Sequence, residues 1–187
     1  MSPDHYLDIH LLPDPEFAPN QLLGALFAKL HRALVQLGSG DIGISLPGVG
    51  ASGPGTHLRL HGSLPALQCL QTLEWLTGMR DHLRLGELTA APPGCRYRCV
   101  RRVQVDSSPQ RLRRRLMQRH DLDEAAACQR IPDTSARRTD LPWVEMRSQS
   151  SSQRFRLFID HGPLQDNPCT GTFSSYGLSS TATIPWF

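Results

Sequence analysis

In the first half of the chain, the pattern of apolar and polar residues predicts a strand followed by a helix. Over His5–Leu11 every second residue is apolar, which is typical of a strand with one buried face. A helix then begins at Pro19 and ends at Gly38, because proline suits the first helical turn and glycine the residue after the last. Its apolar residues recur at helical spacing: Leu22, Leu23, Leu26, Phe27, Leu30 and Leu34.

Two further strands, a second helix and a fourth strand complete this half. The strands are predicted at Asp41–Leu46, His57–His61 and Leu83–Leu88, and the helix follows Ser63. This order is that of the ferredoxin-like split βαβ motif, an α+β arrangement that RNA-recognition modules also use. The aromatic residues with which those modules stack bases are missing from these strands. The fold alone therefore does not predict RNA binding.

A linker at Thr89–Gly94 separates the predicted ferredoxin-like domain, residues 1–94, from a second region, residues 95–187. The second region begins with a basic extended run at Arg96–Val105. It ends in three segments with β-like patterns: Trp143–Gln149, Arg154–Asp160 and Gly171–Leu178. We therefore expect an α+β protein with short strands on both sides of the linker.

Two short helices are predicted in the middle of the second region. The first has Ser108 as its N-cap and Pro109 as its first helical residue. The second has Asp121 as its N-cap, with Glu124 three residues later as the partner in a capping box, and it ends at Pro132. Together they predict a helical segment between the basic run and the final strands.

The first of these helices divides into a cationic face and an apolar face. At 3.6 residues per turn, one face carries Arg111, Arg114, Arg115, Gln118 and Arg119, and the opposite face carries Leu112, Leu116 and Met117. No acidic residue lies between positions 107 and 120, so these arginines have no local partner and repel one another. Guanidinium groups match phosphate oxygens and purine edges, which favours a polyanion over a merely solvated face.

The distribution of charge supports a nucleic-acid partner. The 187 residues include 20 Lys+Arg and 17 Asp+Glu, for a net charge of +3. Residues 1–94 contain 5 basic and 8 acidic residues, whereas residues 95–187 contain 15 and 9, so the halves carry −3 and +6. The apolar face of the arginine helix is too small for membrane binding. We therefore expect the second half to contact a nucleic acid.

Composition also excludes several classes of protein. No stretch approaches the roughly 20 apolar residues of a membrane-spanning helix, and the N-terminus has no signal-peptide pattern. Five cysteines form no recognisable disulfide or zinc framework, which indicates a reduced, cytoplasmic protein. There is no dense acidic cluster of the kind that a two-metal nuclease needs, so we expect neither a metal site nor a cofactor.

RNA offers a route to cleavage without a metal, because its own 2′-hydroxyl can attack the neighbouring phosphate. That route needs a general base near neutral pH, a role that suits histidine. His31 lies at the margin of the apolar stripe of its helix, where half-buried packing is the commoner role. Ser148, Ser150 and Tyr176 likewise have ordinary structural alternatives. Spacing alone does not select a catalytic set from these residues.

Five segments together resemble one known family. They are "HYLDIHLLPDPEF", "LFAKLHRAL", "RVQVDSSPQRLRRRLMQRHDL", "RSQSSSQRFRLFIDHGPL" and the closing "IPWF". The family is the CRISPR repeat-processing endoribonuclease of the type I-F (Yersinia-subtype) system. The resemblance implies binding of a repeat hairpin and cleavage at the 3′ base of its stem without a metal. It also implies a 2′,3′-cyclic phosphate and a 5′-hydroxyl as the product ends. We further expect the enzyme to hold its product tightly, because the arginines bind phosphates of the stem on the product side.

The resemblance assigns roles to individual residues. His31 in "LFAKLHRAL" corresponds to the proton acceptor, Ser148 in "RSQSS" to the serine that holds the 2′-hydroxyl, and Tyr176 in "SSYGL" to the tyrosine that orients the histidine. Other positions correspond to residues that bind the RNA: Arg102 and Gln104 at the base of the stem, Phe155 on the terminal base pair, Ser150, and the cationic helix face of Arg111, Arg114, Arg115, Gln118 and Arg119. The resemblance further implies assembly with other subunits of an RNA-guided surveillance complex, and we expect a monomer in their absence.

Two other functions fit the same sequence features. The protein could bind an RNA hairpin without cutting it, with His31 purely structural. It could instead be a DNA-binding regulator, with residues 108–131 as a helix-turn-helix. The arginines would then lie on the first helix, whereas the presumed recognition helix, Asp123–Arg130, is mostly alanine and acid, which is the wrong way round for reading DNA. Locally, Arg102 could pair with Asp106, and Phe155 could belong to the core.

Overall fold

The computed structural model describes residues 2–50, 53–104, 109–120, 122–132, 140–147 and 153–187, with side chains of 109–111 excluded. The chain forms two compact units, one made of residues 1–103 with 141–187 and one of residues 104–140. The domain boundary expected at residue 94 stays a prediction. No helix in the described part of the chain is long and apolar enough to cross a bilayer.

The first sheet has the predicted ferredoxin-like arrangement, which confirms the α+β fold class. Its elements are β1 (His5–Leu11), α1 (Pro19–Leu37), β2 (Gly43–Ser45), β3 (His57–Gly62), α2 (Leu64–Thr72) and β4 (Leu83–Leu85). The antiparallel strands lie in the order β2-β3-β1-β4, and the two-residue strand β5 (Thr89–Ala90) also pairs with β1. The two helices lie in the crossovers that this order requires.

Strand register in this sheet follows the alternation of the sequence. On β1, Leu7 lies opposite Leu60 and Ile9 lies opposite Leu58, and all four side chains are buried. They share one hydrophobic core with the apolar stripe of α1. The intervening polar residues of β1 lie on the other face of the sheet, because successive side chains of a strand alternate.

The second sheet lies in the same unit. Its strands are β6 (Arg96–Val103), β7 (Trp143–Arg147), β8 (Arg154–His161) and β9 (Thr183–Trp186), in the order β7-β8-β6-β9. β7 packs against α1 so closely that a Cβ at Gly24 would overlap the carbonyl oxygen of Glu145. The helix of the first sheet thereby also supports a strand of the second.

The second unit contains the two predicted helices, α3 (Pro109–His120) and α4 (Glu124–Arg130), which pack on each other. The predicted N-cap of α4 was wrong by two residues. The cap is Asp123, whose carboxylate accepts a hydrogen bond of 2.7 Å from the backbone N–H of Ala126. Asp121 lies outside the described residues. Both aspartates precede the helix, and the spacing to Glu124 pointed to the wrong one.

Two predicted segments differ in the structure. Gly171–Leu178, expected to be a strand, is irregular and contains a turn at 174–177, and the final strand is β9 instead. The turn forms because Gly177 adopts a left-handed φ of 70° that a strand cannot contain. The linker Thr89–Gly94 is not wholly irregular, since its first two residues form β5.

Candidate active site and nucleic-acid interface

His31 lies on α1 at the edge of the buried stripe, where its imidazole is half-buried. The preceding residue, Leu30, is buried in the core, and the following residue, Arg32, is exposed. The helix therefore fixes the backbone of His31 while leaving part of the ring accessible. This is a suitable position for a group that must both hold a defined orientation and reach a substrate.

A backbone carbonyl determines which imidazole nitrogen carries the hydrogen. The Nδ1 atom of His31 lies 2.9 Å from the carbonyl oxygen of Ser175. A carbonyl oxygen only accepts hydrogen bonds, so Nδ1–H donates. In the neutral ring the lone pair is then on Nε2, at the opposite side of the imidazole. His31 therefore has the tautomer that a general base acting through Nε2 requires.

The ring of Tyr176 stacks on the same imidazole and restricts its tilt. The rings of His31 and Tyr176 are stacked, with 4.2 Å between their centroids and 4° between their planes. Tyr176 is half-buried and packs against the hydrophobic core. The carbonyl contact and the stacked ring together restrict both rotation and tilt of the His31 side chain.

The residues that contact His31 belong to a tight turn at 174–177. The backbone N–H of Gly177 donates to the carbonyl oxygen of Ser174 at 2.8 Å, which closes the turn. The turn is attached to β2, because the N–H of Ile44 donates to the carbonyl oxygen of Gly177 at 2.9 Å. A Cβ at Gly177 would lie 2.6 Å from Cγ2 of Ile44, so only glycine fits this contact.

The structure thus brings together two of the three catalytic residues that the resemblance implied, His31 and Tyr176, from opposite ends of the chain. Ser148 and Ser150 lie outside the described residues. The sequence did not predict the contact between the carbonyl group of Ser175 and His31. Nothing in a sequence identifies a backbone oxygen as a functional partner, because every residue carries one and only the fold aims it.

Arg102 and Phe155 come together on the second sheet. The guanidinium carbon of Arg102 lies 5.8 Å from the centroid of the Phe155 ring, at the limit of a cation–π contact. Arg102 is exposed, and Phe155 is half-buried against the core, so the packing role considered for Phe155 applies to part of its surface. Gln104 is exposed and follows β6. Asp106, the alternative partner of Arg102, lies outside the described residues.

The exposure of α3 follows its predicted faces. Four of its predicted RNA-contacting residues are exposed: Arg114, Arg115, Gln118 and Arg119. The residues of the apolar face are half-buried: Leu112, Leu116 and Met117. Arg111 lies within the helix, but its side chain is outside the description. The helix therefore presents a cationic face to solvent, whereas its apolar face is partly covered.

One arginine of α3 has a structural role instead. Arg113 is half-buried with the apolar residues, and its Nε donates a 2.7 Å hydrogen bond to the carbonyl oxygen of Ile131. Ile131 is the residue that follows the last turn of α4. Carbonyl groups at a helix end lack partners within the helix, so a guanidinium there ties α3 to α4.

One cluster among the described residues has the composition of a metal site. The ligand atoms of Asp8, His10 and His57 lie within 4.8 Å of one another. However, Arg59 donates to both carboxylate oxygens of Asp8, at 2.7 and 3.0 Å, and His57 lies 2.6 Å from the same group. Despite the cost of burial, these partners hold the pKa of Asp8 below its usual range. The arrangement is that of an ion-pair network.

Two other histidines are uncharged structural residues. Burial lowers the pKa of His61 to about 3, and its Nε2 lies 2.8 Å from the hydroxyl of Ser45. Burial and the nearby Arg98 lower the pKa of His161 to about 4, and its Nε2 accepts a hydrogen bond from the N–H of Leu46. Both rings are therefore neutral at pH 7.

Comparison with known proteins identifies the family. Residues 6–187 match the model of the family described as CRISPR-associated protein (Cas_Csy4). A protein of Pseudomonas aeruginosa (strain UCBPP-PA14) named CRISPR-associated endonuclease Cas6/Csy4 is 55% identical over 186 residues, covering 98% of this chain and 100% of the relative. A protein of Escherichia coli (strain UTI89 / UPEC) with the same name is 52% identical over 184 residues, covering 98% and 100%.

Proposed function

The chain belongs to the CRISPR-associated protein (Cas_Csy4) family and is an endoribonuclease, and from that premise we propose a specific substrate and mechanism. The substrate is the stem-loop of a CRISPR repeat transcript, and the cut falls at the 3′ base of the stem. The reaction needs no metal, because the nucleophile is the 2′-hydroxyl of the RNA itself.

In the proposed reaction, His31 is the general base. Its Nε2 removes the proton of the 2′-hydroxyl, and the 2′-oxygen attacks the adjacent phosphorus. The bond from phosphorus to the 5′-oxygen breaks, and that oxygen takes up a proton. The products are a 2′,3′-cyclic phosphate and a 5′-hydroxyl. The observation that supports this role is the 2.9 Å contact from Nδ1 of His31 to the carbonyl oxygen of Ser175, which leaves Nε2 free to accept.

Two further residues complete the proposed site. Tyr176 maintains the plane of the imidazole through the stacked contact. Ser148 holds the 2′-hydroxyl in line for attack, a role that the resemblance of "RSQSS" assigns to it. Supporting this, Ser148 directly follows β7, the strand that packs against the helix carrying His31.

Binding of the hairpin is proposed to depend on the exposed arginines. Arg114, Arg115 and Arg119 contact phosphates along the stem, and Gln118 lies on the same exposed face of α3. Arg111 and Ser150 are proposed as further RNA-binding positions from the sequence alone. Arg102 and Gln104 read base edges at the bottom of the stem, where Phe155 stacks on the last base pair. The A-form major groove is normally too deep and narrow for side chains, but a short stem opens it at its end. Tight phosphate contacts would keep the enzyme on its product.

A cleavage assay in EDTA tests the proposal. The substrates are a labelled repeat hairpin made entirely of RNA and the same hairpin with one 2′-deoxy sugar at the 3′ base of the stem. We expect cleavage of the first alone, and a 2′,3′-cyclic phosphate end by mass spectrometry. Cleavage of the deoxy hairpin, or a requirement for added Mg²⁺, would refute the mechanism. Tight binding without cleavage of either hairpin would instead support a hairpin-binding protein.

The proposed partners are the other subunits of a type I-F RNA-guided surveillance complex, with the free protein a monomer. Co-expression with those subunits and a guide RNA should yield a complex that contains this chain and the hairpin. Sedimentation of the free protein at its 20.8 kDa mass would support the monomer. A stable dimer without RNA would contradict it.

A further inference from the structure

We propose that Ser174 is a positioning residue that sets the tautomer of His31 through the turn at 174–177. The inference deepens the proposed function, and the cleavage experiment that tests it, described below as the kinetic arm, rests on that function. Ser174 does not contact the imidazole. Its hydroxyl organises the backbone that carries both groups in contact with His31, namely the carbonyl of Ser175 and the ring of Tyr176.

The hydroxyl of Ser174 accepts two backbone hydrogen bonds. The N–H groups of Tyr176 and Leu178 both donate to its Oγ at 3.3 Å. Either bond alone is long, but they act on the two sides of Gly177, the residue with the left-handed backbone. A serine side chain that binds nearby backbone N–H groups in this way stabilises a turn that the backbone alone holds less firmly.

Backbone contacts close the turn and hold its ends, and they leave the N–H of its central peptide, that of Tyr176, to this hydroxyl. Ser174 N–H donates to the carbonyl of Leu178 at 2.9 Å, and the N–H of the preceding Phe173 donates to the carbonyl of Gly40 at 2.8 Å. The peptide between Ser175 and Tyr176 lies between these anchors. If this peptide rotates, its oxygen leaves Nδ1, and the neutral imidazole can then carry its hydrogen on either nitrogen.

The consequence is chemical as well as structural. A ring protonated on Nε2 has no lone pair there and cannot take a proton from the 2′-hydroxyl. Holding a histidine in the wrong tautomer is costly to catalysis in other enzymes that use a histidine base. Ser174 is exposed, so removing its hydroxyl leaves the hydrophobic core intact. A Ser174 variant therefore separates positioning from folding.

The kinetic arm compares Ser174→Ala with Ser174→Thr, which keeps the hydroxyl. Single-turnover cleavage of the repeat hairpin is measured at saturating enzyme, and affinity is measured with the non-cleavable 2′-deoxy hairpin. For Ser174→Ala we expect a rate loss of about tenfold or more with the dissociation constant unchanged within about twofold. Ser174→Thr should recover most of the rate. Ser180→Ala, at an exposed serine in the same C-terminal segment, is the matched control.

The spectroscopic arm does not depend on cleavage. Long-range ¹H–¹⁵N spectra of the free protein distinguish the two histidine tautomers by their nitrogen shifts, and the His31→Gln spectrum identifies the signal of His31. In the wild-type protein above pH 8 we expect hydrogen on Nδ1. In Ser174→Ala we expect a mixture with the Nε2–H form.

Each outcome decides the inference. A wild-type His31 with hydrogen on Nε2 overturns it, even if no Ser174 variant folds. A slowed Ser174→Ala variant whose His31 tautomer is unchanged also overturns it, as does a wild-type rate in that variant. A tautomer change in Ser174→Ala supports positioning even where the wild-type protein does not cleave, a result that would refute the proposed function alone.

Discussion

The turn that holds His31 and the arginine helix α3 are built in opposite ways. His31 and Ser175 are 144 positions apart in the chain, and their contact needs β2, α1 and the C-terminal segment in place together. In α3, the exposed arginines and half-buried leucines follow from the helical repeat of twelve consecutive residues. The proposed catalytic geometry is a long-range property, whereas the cationic surface is a local one.

This difference predicts that the two functions respond differently to mutation. A cationic surface made of several similar side chains loses affinity in steps, because each phosphate contact contributes a similar amount. The proposed general base is a single oriented imidazole with no substitute, so its loss should slow the chemical step in one change. Variants in one region should therefore leave the activity of the other measurable, and four experiments examine that separation.

The largest effect is expected for His31→Ala. Loss of a general base should slow single-turnover cleavage about 10²- to 10⁴-fold, while the affinity for the 2′-deoxy hairpin stays within about threefold. His5→Ala, outside the proposed site, is the control and should cleave normally. Equal loss of rate and affinity in His31→Ala would indicate that His31 serves binding, and the contrast between the two regions would fail.

The second experiment removes charge from α3. Replacing Arg114, Arg115 and Arg119 together by glutamine should weaken hairpin binding about 100-fold or more at low salt. It should also reduce the slope of log Kd against log salt concentration by about 2 to 3. The rate at saturating enzyme should change less than about threefold. Arg96→Gln, whose guanidinium pairs with Asp166, is the matched control. An unchanged salt slope in the triple variant would exclude phosphate contacts for this face.

The third experiment uses acid to destabilise the unit that contains His31. The pKa of His61 is about 3 and that of His161 about 4, both below the ordinary 6.5. Between these values and pH 6.5, His61 and His161 are therefore protonated in the unfolded chain but not in the folded protein. Their stabilising contribution is fully present above pH 6.5 and is lost as the pH falls toward these values. Between pH 7.5 and 5 we expect each to cost about 2 kcal/mol in free energy of unfolding.

Urea denaturation at pH 7.5, 6 and 5 measures that dependence. His161→Gln, whose side-chain oxygen can replace Nε2 as acceptor for the N–H of Leu46, should remove about half of it. His120→Gln, on an exposed residue of α3, should leave the pH dependence unchanged. If His161→Gln and wild type lose the same free energy on acidification, His161 is not the titrating group.

The smallest effect is expected in the second unit. Asp123→Ala removes the side chain that caps α4 and should cost about 1 kcal/mol locally, because an N–H at the helix start loses its partner. Amide hydrogen exchange in α4 should accelerate by about fivefold, while cleavage at saturating enzyme is unaffected. Glu124→Ala, in the same turn but without the cap bond, is the control. If amide exchange in α4 accelerates equally in Glu124→Ala, the effect is due to loss of negative charge rather than loss of the cap.

The sequence by itself determined those features that repeat at short range. Alternation along β1 and the stripe of α1 predicted the ferredoxin-like sheet, and the helical repeat of α3 predicted which residues are exposed. Even where a prediction was wrong, as for the cap at Asp121, the helix itself was predicted, because local signals specify elements better than their ends.

Only the tertiary structure decided how the imidazole of His31 is oriented. The segment 171–178 has a strand-like composition, yet Gly177 and its attachment to β2 make it a turn. That turn aims the carbonyl of Ser175 at Nδ1, a contact between a side chain and a backbone atom of distant residues. No local pattern encodes such a contact, because backbone carbonyls are identical in every residue and acquire direction only when the chain is folded.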